Sequence, residues 1–220
     1  MLYKIRFRPD FSTLAITLKP GEKLTTALGT LVSLDEGLTV KKQKGLGFIQ
    51  SLLYKLGGGE ALRLNVIHNP TSEPLGLILS KTLPGDIVRL DLTKTPLCLR
   101  PGIHIAHTTG VRLGIQWLGF ASWLAGQGLF TLKLLGKGRV FLGSYGQLSQ
   151  RQVHQSLIVE QGHLLAYSSK LRLKVNFPKG LVGTPATGEG MACQLQGGGM
   201  VYLQSRSRTG MGRYLRLKFR

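Results

Sequence analysis

Gly136-Lys137-Gly138-Arg139-Val140-Phe141-Leu142 returns later in the chain as Gly197-Gly198-Gly199-Met200-Val201-Tyr202-Leu203. A second glycine element precedes each copy, Gly126-Gln127-Gly128-Leu129-Phe130 in one case and Gly188-Glu189-Gly190-Met191-Ala192 in the other. A worn copy stands earlier, opened by Gly59-Glu60-Ala61-Leu62 and closed by Leu75-Gly76-Leu77-Ile78-Leu79. Another motif keeps the same register: Val32-Ser33-Leu34-Asp35-Glu36-Gly37, Leu97-Cys98-Leu99-Arg100-Pro101-Gly102 and Leu157-Ile158-Val159-Glu160-Gln161-Gly162. Two motifs in one order, at a period of roughly 60 to 67 residues, read as three copies of one supersecondary unit. The expected organisation is a single body over residues 1–220, with repeats at about 11–82, 83–146 and 147–207 flanked by basic terminal strands.

The rest of the chain supports an all-β fold. Leu14-Ala15-Ile16-Thr17-Leu18, Val88-Arg89-Leu90-Asp91-Leu92 and Leu171-Arg172-Leu173-Lys174-Val175 alternate with the period of two that half-buried strands require. Thirty glycines and nine prolines spread along 220 residues suit many short strands joined by tight turns. Repetition of the glycines in register assigns Gly126, Gly128, Gly136, Gly138, Gly188, Gly190, Gly197 and Gly199 to turn or bulge geometry rather than to a phosphate cradle. No helix start or Gly-Lys-Ser/Thr comes after them, as a nucleotide loop would need. Two apolar segments, 48–56 and 117–124, interrupt the strand pattern; they read either as plugs of the core or as contact surfaces.

Chemistry-bearing residues are sparse. With ten acidic residues there are few carboxylates for acid–base work, and no nucleophile elbow occurs. His104 and His107, three apart, are expected on opposite faces of a strand, and the two-apart pair of a cupin-like metal site is missing. The expectation is therefore no catalytic set, no metal, no cofactor and no small-molecule substrate. Cys98 and Cys193 lie in apolar runs and read as buried free thiols. The start of the sequence has no signal-peptide pattern and no apolar run reaches the length of a membrane span, so the expected location is cytoplasmic, with peripheral membrane association as an extension.

Charge is the other outlier. A net charge of +19 either serves solubility or favours an acidic protein, an anionic membrane surface or nucleic acid. At both ends apolar and basic residues alternate, Lys4, Arg6 and Arg8 at one and Arg216, Lys218 and Arg220 at the other. Each end reads as a strand with one cationic face, and together the six residues form a candidate anion-binding patch.

Pro84-Gly85-Asp86, the run from Leu129 to Leu142, Gly162-His163-Leu164-Leu165-Ala166-Tyr167, the run from Gly188 to Cys193, and Val201-Tyr202-Leu203-Gln204-Ser205-Arg206-Ser207 stand in an order that resembles the altered inheritance of mitochondria protein 24 family. The likeness covers about Phe11 to Ser207. Gly197-Gly198-Gly199 departs from the Gly-Pro-Gly commoner there. The resemblance implies β-sandwich or double-stranded β-helix-like units with pseudo-three-fold repetition, similar to subunits of the trp RNA-binding attenuation protein. It further implies a ring-like homo-oligomer, with a trimer favoured, and a scaffold role near membranes in the mitochondrial relatives. Binding of RNA or another polyanion is the alternative that the ring analogy implies; a shared fold does not by itself carry the activity.

Overall fold

A computed structural model describes residues 1–43, 63–93, 95–100, 102–117, 130–175 and 192–219. Strand β1 (Leu2–Arg6) precedes a series of six: β2 (Thr13–Leu18), β3 (Lys23–Ala27), β4 (Leu31–Leu34), β5 (Thr39–Lys42), β6 (Leu64–His68) and β7 (Leu75–Ser80). Six more come next as β8 (Ile87–Leu92), β9 (Leu97–Leu99), β10 (His104–Thr108), β11 (Val111–Trp117), β12 (Phe130–Gly136) and β13 (Gly138–Gly143). The last six are β14 (Leu148–Val153), β15 (Ser156–Glu160), β16 (Leu164–Ser168), β17 (Arg172–Val175), β18 (Ala192–Gln196) and β19 (Gly199–Gln204), and helix α1 (Arg208–Lys218) ends the chain. The fold is nearly all β, as the alternation predicts.

The pairing repeats. β2 pairs with β7, β8 with β13 and β14 with β19, all antiparallel. β4·β7, β10·β13 and β16·β19 recur in the same way, each with a register shift after the first pair. So do β3·β6, β9·β12 and β15·β18, and likewise β5·β6, β11·β12 and β17·β18. Successive series are stitched together by β3·β10 and β9·β16. The result is four sheets, in the orders β1-β2-β7-β4, β5-β6-β3-β10-β13-β8, β11-β12-β9-β16-β19-β14 and β15-β18-β17.

Alternation explains which faces are covered. Leu14, Ile16 and Leu18 of β2 are buried while Thr13, Ala15 and Thr17 are only partly so. They join Leu24, Ile67, Leu77, Leu79, Ile105 and Phe141 in one apolar cluster, which therefore spans the first two series. A second cluster gathers Leu99, Leu132, Leu134, Val140, Leu142 and Leu165 from the second and third. Shared cores and shared sheets leave the series no independent interiors.

Register corrects the first copy of the second motif. Leu24, Thr25 and Thr26 face β10 as Leu97, Cys98 and Leu99 face β16, so the counterpart of Leu97–Gly102 is Leu24–Gly29, not Val32–Gly37. Gly29 and Gly102 share a positive φ, +78° and +85°. Gly37 has one too, +100°, and a short apolar run ending in a turn glycine therefore occurs twice in the first series.

The carboxy-terminal alternation forms a helix rather than a strand. Ser207 caps it, its Oγ accepting the Gly210 N–H at 3.0 Å, and the Leu, Arg, Lys and Met residues between Arg208 and Lys218 are good helix formers. A few alternating residues do not separate the two periods, and the cap decides. Arg216 and Lys218 lie in the last turn, where cations offset the helix dipole. Consequently the terminal segments do not pair as strands; β1 pairs with β2 alone among the described strands. Segments 48–56 and 118–124, with Gly126, Gly128, Gly188 and Gly190, lie outside the described residues.

Candidate functional site

The basic terminal residues are sorted by their neighbours. Tyr3 and Ile5 turn inward from β1; the Tyr3 ring meets Phe141 edge-on at 5.2 Å, and Arg89 stacks on it at 5.4 Å while donating to its hydroxyl at 2.6 Å. That orientation leaves Lys4 and Arg6 exposed on the opposite face. Arg8 lies beyond the strand and is engaged otherwise. Its Nε and Nη2 both donate to the Asp86 carboxylate at 2.8 Å, and Asp86 is 2% exposed. The same carboxylate accepts from Ser12 Oγ at 3.2 Å and from the Ile87 N–H at 2.8 Å. This two-pronged bond raises the Arg8 pKa, and it makes Arg8 a clamp on the loop before β8 instead of a free anion ligand.

Helix α1 carries the other cations. None of its residues is buried, so Tyr214, Leu215, Leu217 and Phe219 at its end stand in solvent beside Arg213, Arg216 and Lys218. Tyr145 donates its hydroxyl to Met211 Sδ at 3.3 Å and anchors the first turn. Two separate cationic features result: the outer face of β1 with Lys4 and Arg6, and an exposed helix with Arg216 and Lys218 among apolar side chains. Arg220 lies outside the described residues. No acidic residue occurs after Glu189, so α1 has no local counter-charge in its own sequence.

The described turn glycines are set by positive φ or by close approach of neighbouring atoms. Gly136 has φ +96°, and a Cβ there would lie 2.3 Å from the Gly110 carbonyl oxygen. Gly138 has φ +152°, with Thr108 Oγ1 only 2.4 Å from the Cβ position. Gly197 has φ +115° with more room, and Gly199 opens β19 with Ser168 and Leu171 side chains 3.0 and 3.1 Å from its Cβ position. These positions shape hairpins and present no ligand.

His104 and His107 are not on opposite faces. The register shift between His104 and Ala106 against β13 inserts an extra residue, which brings the rings together at a centroid distance of 4.9 Å. His104 Nε2 and His107 Nδ1 share a hydrogen bond of 2.8 Å, both rings are buried, and His104 Nδ1 has no partner among the described residues. Burial lowers the pKa of His107 to about 4 and that of His104 well below the ordinary value, with the His107 and Lys81 charges adding to the latter. Among the described residues no group of three or more His, Cys, Asp or Glu could hold a metal. Cys98 and Cys193 are buried thiols that form no disulfide among the described residues, and burial raises the pKa of Cys98. No described helix is long and apolar enough to cross a membrane.

The model of the mitochondrial biogenesis AIM24 family matches residues 3–206. An uncharacterised protein of Streptococcus pyogenes serotype M6 is 26% identical over 216 residues, covering 92% of this chain and 86% of the relative. The crystal structure of a Streptococcus pyogenes protein superposes with a TM-score of 0.79 at 21% identity, covering 99% of both chains. That last likeness shows a shared fold.

Proposed function

The chain belongs to the AIM24 family, and on that premise we propose that it is a non-catalytic interaction scaffold, a ring-like homo-oligomer that rests on an anionic membrane surface through α1. The observation that carries this reading is the exposure of Tyr214, Leu217 and Phe219 interleaved with Arg213, Arg216 and Lys218. The apolar side chains at the end of this helix gain nothing from standing in water. Laid on a headgroup layer, the side that carries Tyr214 and Leu217, three apart, buries apolar area while the guanidinium and ammonium groups meet phosphates, and Phe219 just past the helix end adds to the contact. The exposed Lys4 and Arg6 add a second cationic feature.

RNA binding is the weaker reading. Tyr202, a candidate for base stacking beside Arg206, packs against an apolar cluster in β19 rather than forming an open platform.

Co-sedimentation with vesicles separates the two. The protein is expected to bind phosphatidylserine-containing vesicles at low salt, to release at high salt, and to lose binding on Tyr214→Ser/Leu217→Ser/Phe219→Ser substitution. Undiminished vesicle binding by that variant would overturn the reading. Tight single-stranded RNA binding by both forms, with no vesicle binding, would favour the polyanion alternative.

A further inference from the structure

Among the described residues each of the four sheets has two end strands, and six of those eight ends carry Lys or Arg. They are β1 with Lys4 and Arg6, β5 with Lys41 and Lys42, β8 with Arg89, β11 with Arg112, β14 with Arg151 and β17 with Arg172 and Lys174. Charged end strands discourage pairing with other chains. The two exceptions are β4, Leu31-Val32-Ser33-Leu34, and β15, Ser156-Leu157-Ile158-Val159-Glu160.

Those two ends are complementary by the chain's own rule. β4 occupies the place of β10 and β16 in the repeated pairing, and β15 that of β3 and β9. Where both members are present they pair, through Thr25↔His107 and Cys98↔Tyr167. The missing third copy of this contact is β15 on β4, and the same register sets Ile158 opposite Leu34 and Val159 opposite Ser33. Exposure agrees with a missing neighbour. Val32 is 62% exposed where its counterparts Ile105 and Leu165 are 0% and 1%, and Ile158 is 59% exposed where Cys98 is 0%.

Among the described residues the chain does not close this contact on itself. At the loops before β2, β8 and β14 the backbone is linked stepwise, Ser12 N–H to the Gly85 carbonyl at 3.0 Å and Asp86 N–H to the Gly146 carbonyl at 3.1 Å. At the third step the Gln147 N–H bonds to Ser205 Oγ at 2.9 Å instead of returning to Phe11, which is largely exposed. The series stays open, with one uncapped edge at each end.

We propose that the β15 edge of one copy pairs antiparallel with the β4 edge of a second copy, Ile158 facing Leu34, to continue the sheets from chain to chain. The two edges differ, so the contact is head-to-tail, the kind from which rings are built, rather than the two-fold contact of a dimer. This deepens the oligomer part of the proposed function and assigns it an interface.

Light scattering on the full chain and on Val32→Lys and Ile158→Lys variants is the first arm. Both side chains are exposed in the single chain, so circular dichroism should be unchanged while the oligomer of wild type falls to single chains of 24.0 kDa. A Leu34→Cys/Ile158→Cys variant, mildly oxidised, is the second: intermolecular cross-links on a non-reducing gel, absent from either single variant at the same stoichiometry, support the register. A monomeric wild type at all concentrations would overturn both this interface and the oligomer. A wild-type oligomer that survives both lysine substitutions would overturn the interface alone, and a cross-link confined within single chains would replace it by internal closure.

Discussion

His104 Nε2 lies 2.8 Å from His107 Nδ1 inside the sheet that joins β3 to β13, so one ring donates and the other accepts through a nitrogen that carries no proton. The pair lies where the first two strand series are stitched together, beside Thr25 across β3. Protonating the accepting nitrogen would break the bond, and a charge on either ring would sit in a buried site near the Lys81 ammonium.

Acid should therefore loosen this joint. In the folded chain the His107 pKa is lowered to about 4, below the ordinary value of 6.5, so the unfolded state takes up protons first as pH falls. Stability is full above about pH 6.5 and is lost progressively between there and about 4, by on the order of 3 kcal/mol from His107. Urea unfolding across that range should show the decline, and His107→Gln should flatten it. An equal slope in the variant would place the acid sensitivity elsewhere.

Much of the architecture is legible in the sequence, because β2, β8 and β12 alternate cleanly and the Gly136 and Gly197 hairpins return in register. Contacts that depend on pairing are not. The bulge that turns His104 toward His107 is a register shift against β13, which no spacing within β10 reveals. Arg8 reads as a member of a cationic ladder, yet its partner Asp86 is far along the chain and only the fold joins them. Alternation at Leu215, Leu217 and Phe219 suggests a strand because a few residues fit either period, and the Ser207 cap settles the helix. The unsatisfied edges of β4 and β15 become visible only once every other strand has found its neighbours.

Arg8 and the exposed cations should separate by experiment. Arg8→Ala leaves a buried carboxylate with fewer donors and is expected to lower stability by about 1–3 kcal/mol, without changing vesicle retention. Lys4→Glu/Arg6→Glu should do the reverse, sparing the melting temperature and weakening retention at low salt. Thermal melts paired with vesicle sedimentation read both; a variant pair that behaved alike would merge the two roles.

The hairpin glycines should differ among themselves. Gly138→Ala combines a positive φ with a Cβ pressed against Thr108, so a loss of more than about 1 kcal/mol is expected. Gly198 has nothing within 4 Å of its Cβ position, and Gly198→Ala should change stability by less than about 0.5 kcal/mol. Equal melting temperatures for the two variants would remove the steric argument at Gly138.

Amide hydrogen exchange tests the central claim, that this scaffold assembles through the two sheet edges without Lys or Arg, most directly. At concentrations where the protein is oligomeric, amides of Leu31–Leu34 and Ser156–Glu160 should be protected to the level of their counterparts in β10 and β9, and that protection should vanish on dilution to single chains while β10 and β9 remain slow. Rapid exchange of both edges in the concentrated oligomer, with β9 and β10 protected, would contradict it.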